Sequence, residues 1–399
     1  MGSRLRMFEP DVPFNITLNA VDGQFLFTPN HRCDNPLLHR SCPPNALDPS
    51  NDIIPIPSVI NIIGSSIGRA LARNPVRIHA FESNSNHIHA LISADESNLE
   101  NIAKFQCHVN SLIARGMEKL LRRKGHFFAG RYRMEACVDD ESAEQKLFYA
   151  LTNVVKDNLV EKVNETPFFS TFRYQSEGKI MKFWYIDWES YWDAGGKRSK
   201  KVKPKDFMRW VTVKTTPLPS WMKYTEKQRQ TRIRKEVQRT EEACRCKREA
   251  SGIRRYGVMG VKALFARDPR GRAEERTDSG LRPVAVIVQS EVNEVRGAEQ
   301  LQSSRRASRS ERSQPLCHSS TREGYLSYRR KWNDFREEYR KASINYRLCF
   351  QTHNQSSRTR VSSSTMLIVD KVTIEYFGGA FPPGSFRPPI VRLCNGNGL

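Results

Sequence analysis

His87 and His89, separated by Ile88 in the run Asn86-His87-Ile88-His89-Ala90-Leu91-Ile92, have the types and spacing that most directly suggest chemistry in this chain. The run alternates as a β-strand does. Successive side chains leave opposite faces of a strand, so the two imidazoles project together while Ile88 and Ala90 turn into a core. Two neutral imidazoles on one face make a chelating pair for Zn, Mn, Fe, Co or Ni, and help hold Mg when oxygens complete the shell. Two surface histidines would share the pattern, so a second element has to decide.

That element is the segment Glu144 to Val160. At roughly 100° per residue, Leu147, Phe148, Leu151, Val154, Val155 and Leu159 fall on one arc, which predicts an amphipathic helix with a core stripe. Tyr149 and Asn153 fall on the opposite, polar face, one turn apart, with Lys146 and Lys156 flanking them. A tyrosine, an amide that can ligate a metal and two cations suited to phosphate thus share one surface.

In this order the residues resemble the HUH superfamily of nucleases, and more closely its single-tyrosine transposases, including the branch associated with repetitive extragenic palindromes. There a strand carrying Asn-His-hydrophobic-His is followed by a long helix, a strand, and a helix that opens with Tyr and has Asn or Gln four residues later. Here Asn86-His87-Ile88-His89 is followed by a helical stretch from Leu99 to Arg123, a strand-like stretch from Phe127 to Asp139, and Tyr149 and Asn153. Val154 stands where the family usually has Pro, and Asn158 where it has a small residue. The resemblance covers roughly the first half of the chain. It implies a metal-dependent DNA transposase that cleaves and rejoins single-stranded DNA: Mg or Mn held by His87, His89 and Asn153, Tyr149 as nucleophile, and a 5′-phosphotyrosine intermediate. Hairpins at element or repeat ends are the implied partner, bound by Lys146, Lys156, Arg131, Tyr132 and Arg133. His79 is an alternative third ligand to Asn153, and Tyr132 an alternative nucleophile.

Other readings of the same chemistry are a relaxase or replication initiator, and a catalytically silent DNA-binding protein. The former commonly add a third histidine or a second tyrosine, and this motif has Asn86 before the pair and one Tyr on the helix. A two-histidine phosphoesterase would need a second His-X-Ser/Thr repeat, which the chain lacks.

The elements that must position these residues read as β, α, β, β, α, β, α. Phe14 to Val21 alternates as a strand, Gln24 to Phe27 continues after a turn, Ser58 to Arg73 is a helix, and Val76 to Ser83 and Asn86 to Ser93 are strands. That succession predicts an α+β fold, a ferredoxin-like antiparallel sheet with helices on one side, over residues 1–195, with an inserted Pro- and Asn-rich loop at 30–52. Residues 196–399 read as a basic extension, helical near 220–248 and 325–346, disordered near 299–322, and Pro/Gly-rich from 378.

Composition agrees with a polyanionic partner. In 399 residues, 65 Lys and Arg stand against 43 Asp and Glu, for a net charge of +22. No run approaches the ~20 apolar residues of a membrane span, and the start has no apolar signal core, so no membrane is expected. Nine scattered cysteines suit a reducing compartment, hence a cytoplasmic, nucleoid-associated protein, monomer or homodimer. His31, Cys33, His39 and Cys42 match no common zinc spacing, and Cys244-Arg245-Cys246 is weaker still. Gly125 to Arg133 interleaves aromatics with Arg, which suits stacking on bases for one or two of its rings.

Overall fold

The computed structural model describes residues 6–29, 57–121, 123–198, 202–263 and 316–356. Its main sheet begins with β1 (Phe14–Asn19), in which Phe14, Ile16 and Leu18 alternate with Asn15, Thr17 and Asn19. α1 (Val59–Arg73) starts where Ser58 accepts a hydrogen bond from the Asn61 backbone N–H, a Ser N-cap. β2 (Arg77–Ser83) and β3 (His87–Ser93) follow, then α2 (Leu99–Leu121) and β4 (Arg133–Cys137). This is the ferredoxin-like β-α-β-β-α-β succession. Neighbours run β2-β3-β1-β4, all antiparallel, and β7 (Cys317–His318) adds a fifth strand parallel to β4.

One face of the sheet, with Ile16, Leu18, Ile88, Ala90 and Ile92, packs on α1 and α2 through Ile63, Ile67, Ile102, Phe105 and Val109. Each such side chain taken fully out of water contributes about 1.5–3 kcal/mol. The other face is covered too, contrary to the expectation of helices on one side. There α3 (Asp140–Lys156) lies between the sheet and α6 (Glu226–Ser251): Leu147, Leu151 and Val155 cluster with Leu91 and Cys137 as well as with Trp221, Ile233 and Val237. A sheet with apolar side chains on both faces has to be covered twice; α3 supplies the second cover, and α6, from beyond residue 196, covers α3 in turn.

The expected boundary at 195/196 falls within a second sheet. β5 (Met181–Ile186) pairs antiparallel with β6 (Met208–Val213) around α5 (Trp188–Asp193), and this ribbon packs on α1. Gly64 and Gly68, four residues apart on α1, permit the approach: a Cβ would lie 2.5 Å from the Phe183 ring and 2.6 Å from Val211, respectively. Gly64→Ala is therefore expected to destabilise the protein by roughly 1–3 kcal/mol as overpacking, read as a lower urea midpoint with unchanged slope.

Further along, α4 (Phe172–Glu177) precedes the ribbon, α7 (Gly257–Ala263) follows α6, and α8 (Arg322–Ser356) places Tyr328, Trp332 and Phe335 in the α1/α2 core. The segment 316–321, expected as disorder, carries β7 and a bend, because the Ala136 backbone N–H donates to Leu316 O at 3.1 Å and Val138 to His318 O at 3.0 Å. Gln24 to Phe27 is not a strand: a 3-10 turn at Val21–Gly23 leads into further turns that bury Leu26 and Phe27. The stretch from Phe127 is strand only at Arg133–Cys137, with one bridge pairing Ala20 and Phe128. The loop at 30–52, its His and Cys residues, residues 299–315 and the tail from 378 lie outside the described residues. Among the described residues no helix is long and apolar enough to cross a membrane.

Candidate functional site

β3 presents His87, His89 and Leu91 to α3 and sends Ile88, Ala90 and Ile92 into the α1/α2 core, the split expected from strand alternation. The two rings stand edge to face with centroids 4.8 Å apart. α3 begins at a capping box in which Asp139 accepts from the Ser142 backbone N–H at 2.8 Å. Two and a half turns on, the Tyr149 ring meets His89 edge to face at 5.4 Å. One turn beyond Tyr149, Asn153 Nδ2 lies 3.0 Å from His87 Nε2. The fold thus brings His87, His89, Tyr149 and Asn153 together. Asn153 is only 3% exposed, so its face of the helix is an interface with the sheet and not a solvated surface.

Tautomers follow from the partners. Asn86 Oδ1 is 2.7 Å from His87 Nδ1, which must donate to it. His87 Nε2 then carries the lone pair, and accepts from Asn153 Nδ2 at 3.0 Å and Asn84 Nδ2 at 3.3 Å. This is how a ligating histidine is usually oriented, with its other nitrogen held by a neighbouring group. His89 Nδ1 is 3.3 Å from Thr17 Oγ1, its cross-strand partner on β1. Burial, with help from nearby His87 and Lys146, pushes the His89 pKa down to about 3, so its ring is neutral across the physiological range.

Two imidazoles and a side-chain amide are the residues here that could hold a divalent cation, since the amide can present Oδ1 in place of Nδ2 by a half-turn about its terminal bond. Among the described residues no cluster of three His, Cys, Asp or Glu side chains competes with them. His79, the alternative ligand, lies elsewhere: it is buried, with Nδ1 3.0 Å from Thr216 O and Nε2 2.9 Å from Ser93 Oγ, and burial lowers its pKa to about 4.

The expected cations divide. Lys156 places its ammonium 5.2 Å from the centre of the Tyr149 ring, with its pKa lowered by burial. Lys146 donates to Glu135 Oε2 at 2.9 Å, and Arg133 pairs with the same carboxylate at 2.7 Å. Glu135 therefore fixes two cations beside the site, its own pKa lowered by their hydrogen bonds and charge against the opposing effect of burial. Arg131 is exposed. Tyr132 turns toward the other core: Arg6 stacks 3.8 Å over its ring, its hydroxyl is buried, and burial raises its pKa. It offers bases no open face. Thr17, Asn84 and Glu135 were not foreseen as site residues. The polar positions Asn15, Thr17 and Asn19 of β1, alternating with Phe14, Ile16 and Leu18, were the available signal.

Glu82, paired across the sheet with His89, gives the site region a pH signature. Its buried carboxyl accepts from the Thr171 backbone N–H at 2.9 Å and from Thr171 Oγ1 at 2.6 Å, and burial raises its pKa from 4.5 to about 8. The folded state keeps a proton that the unfolded chain has already lost, so this contribution to stability declines as pH rises from 4.5 to about 8, by up to ~1.4 kcal/mol per unit. Glu82→Gln should flatten that decline. Urea midpoints at pH 7 and pH 8 check it, where His79 and His89 are neutral in the folded state and nearly so in the unfolded one.

No protein-family model and no curated protein matches the chain. Among solved structures, a REP-associated tyrosine transposase bound to a REP hairpin is similar at 15% identity and a TM-score of 0.32, over 45% of this chain and 87% of that one.

Proposed function

We propose that this chain is a DNA strand transferase of the single-tyrosine HUH type, a transposase that cleaves and rejoins single-stranded DNA. The observation that carries the reading is the meeting of Tyr149 with His89 at 5.4 Å and of Asn153 with His87 at 3.0 Å, from elements 60 residues apart in sequence. Tyr149 Oη attacks the phosphorus in line. An O–P bond forms to the phenol as the bond to the 3′ oxygen breaks, leaving a 5′-phosphotyrosine and a free 3′-hydroxyl. A second 3′-hydroxyl reverses the exchange and reseals DNA with no external energy source.

Ionising a phenol of reference pKa near 10 at neutral pH costs about 4 kcal/mol, and Lys156 holds a positive charge 5.2 Å from the centre of the ring. Lys146 and Arg133, held by Glu135, lie on the same face of the sheet, where phosphates of the bound strand can exchange for the carboxylate. A divalent ion held by His87 Nε2, His89 and Asn153 would supply Lewis-acid polarisation of the scissile phosphate. Asn86 Oδ1 orients the His87 ring through Nδ1, and Thr17 Oγ1 contacts His89 Nδ1.

A labelled library of single-stranded hairpins, incubated with the protein and Mg or Mn, should yield a denaturant-resistant protein–DNA adduct. Chelator, or His87→Ala with His89→Ala, should abolish the adduct and spare most of the binding, which comes from phosphate neutralisation. Undiminished cleavage in excess chelator would remove the metal from the mechanism.

A further inference from the structure

The β5–β6 ribbon carries an aromatic and basic surface that the tyrosine site does not use. Phe183, Val211 and Val213 face α1, and the outer face holds Lys182, Trp184 and Trp210, the two tryptophans being direct cross-strand partners. α5 adds Trp192. Trp210 is 57% exposed and Trp192 53%, a large apolar area to leave in water on a two-stranded ribbon and the short helix between its strands.

The ribbon and the Trp192 ring are both held by α1 or by neighbouring residues. Asn61 of α1 clamps the Trp184 backbone, Nδ2 donating to its carbonyl at 2.9 Å and Oδ1 accepting from its N–H at 3.1 Å, which fixes the ribbon that carries Trp210. Trp192 packs on buried Tyr191, ring centres 4.9 Å apart. On another side Gly196, at φ 50, brings the backbone so close that a Cβ would overlap the Trp192 ring. The Trp192 indole is thus supported by protein, the strand pair that carries Trp210 is fixed on α1, and both rings present area to solvent. Charge adds a second observation. Residues 181–214 contain nine Lys and Arg against four Asp and Glu, and two of those acids are engaged internally: Asp187 caps α5 through Ser190, and Asp206 accepts from the Lys203 N–H at 3.2 Å.

Pre-set aromatic faces interleaved with cations match the chemistry of a strand whose bases are unstacked and whose phosphates are regularly spaced. A duplex hides its base faces, so the match is to single strands. We propose that the β5–β6 ribbon is a second binding surface for single-stranded nucleic acid, with bases stacked on Trp210 and Trp192 and phosphates met by Lys182 and Lys214. The ribbon packs on α1, on the side of the main sheet opposite α3, so this surface is separate from Tyr149 and does not depend on the cleavage reading. It gives the protein a place to hold a strand that is not being cut.

The test uses the full chain carrying Tyr149→Phe, so that no covalent step intervenes, and oligothymidylate as the probe. Tryptophan fluorescence should be quenched on binding. Trp210→Leu and Trp192→Leu, which keep an apolar side chain and remove the π-face, should each weaken affinity at least about fivefold. Lys182→Ser should flatten the plot of log affinity against log salt by about 0.7 for one lost phosphate contact. Circular dichroism melts unchanged from the parent protein show that the fold is intact. Should a leucine variant melt early, Trp210→Phe and Trp192→Phe take its place, with affinity between parent and leucine values expected. Unchanged oligothymidylate affinity in both leucine variants overturns the proposal. So does a tryptophan-dependent dimer in sedimentation, or tryptophan-dependent binding to anionic vesicles, with no accompanying effect on DNA. Failure of the cleavage reading would leave the quenching intact, which separates the two outcomes.

Discussion

Tyr149→Phe should give no covalent adduct with any hairpin, in Mg or Mn, while binding the same DNA within about twofold of the parent protein. The substitution removes one oxygen and keeps the ring. Phenylalanine preserves the edge-to-face contact that His89 makes at 5.4 Å and the cation–π contact of Lys156 at 5.2 Å, so the packing between α3 and β3 has no reason to change. What disappears is the proposed nucleophile, and on this reading no neighbouring group replaces it. Tyr132 does not, with its ring under the Arg6 guanidinium and its hydroxyl buried on the far side of β4. Affinity should hold because phosphate contacts from Lys and Arg supply most of it. The checks are a denaturing gel for the adduct and a filter-binding titration for affinity. Adduct formation at parental yield would mean that another residue attacks, and peptide mapping of the adduct would name it.

The parts of this site legible in the sequence are those governed by short-range geometry. Alternation along 86–93 correctly separated His87 and His89 from Ile88 and Ala90, because strand periodicity is local and needs no partner. The four-residue spacing of Tyr149 and Asn153 worked for the same reason. What those faces meet was not legible. The polar side of α3 reads as solvated, yet Asn153 is buried against the sheet, because two histidines on the facing strand give it hydrogen-bonding partners that a hydropathy pattern cannot register. The helix covering α3 was missed as a core element for a related reason. α6 is charged nearly all round and buries only Ile233, Val237 and Arg248, too few to make a stripe. β7 is two residues long and pairs with a strand 181 residues earlier (Cys317 with Ala136), a contact that no local signal announces. The aromatics of 125–133 looked like a contact surface, but Phe127 and Tyr132 pack inward, where apolar rings gain more from burial.

Truncation after Gly195 should abolish cooperative folding, although sequence composition places a domain boundary there. The cut removes β6 from the ribbon, leaving β5 without its strand partner and Phe183 without Val211 beside it. It strips Leu218, Trp221, Ile233, Val237 and Val261 from the outer side of α3, and Tyr328, Trp332 and Phe335 from the α1/α2 core. At about 1.5–3 kcal/mol for each large apolar side chain, those eight account for roughly 12 kcal/mol or more, comparable to the 5–15 kcal/mol by which whole domains are stable. Polar ties go as well: Trp221 Nε1 donates to Glu144 Oε1 at 2.7 Å, Arg232 pairs with Glu144 Oε2 at 2.7 Å, and Ser319 and the Ser320 N–H hold the Asp139 carboxylate at the start of α3. Those last two bonds, with that of Ser142, lower the Asp139 pKa to about 2 despite partial desolvation. Since α3 carries Tyr149 and Asn153, the basic half of the chain positions these two residues as well as adding charge. A thermal melt and urea titration of residues 1–195 should show no cooperative transition, and the fragment should form no adduct with hairpin DNA. A sharp transition with native-like near-UV dichroism would instead make residues 1–195 an autonomous domain. The contacts of α6 and α8 would then be accessory to a core that closes without them.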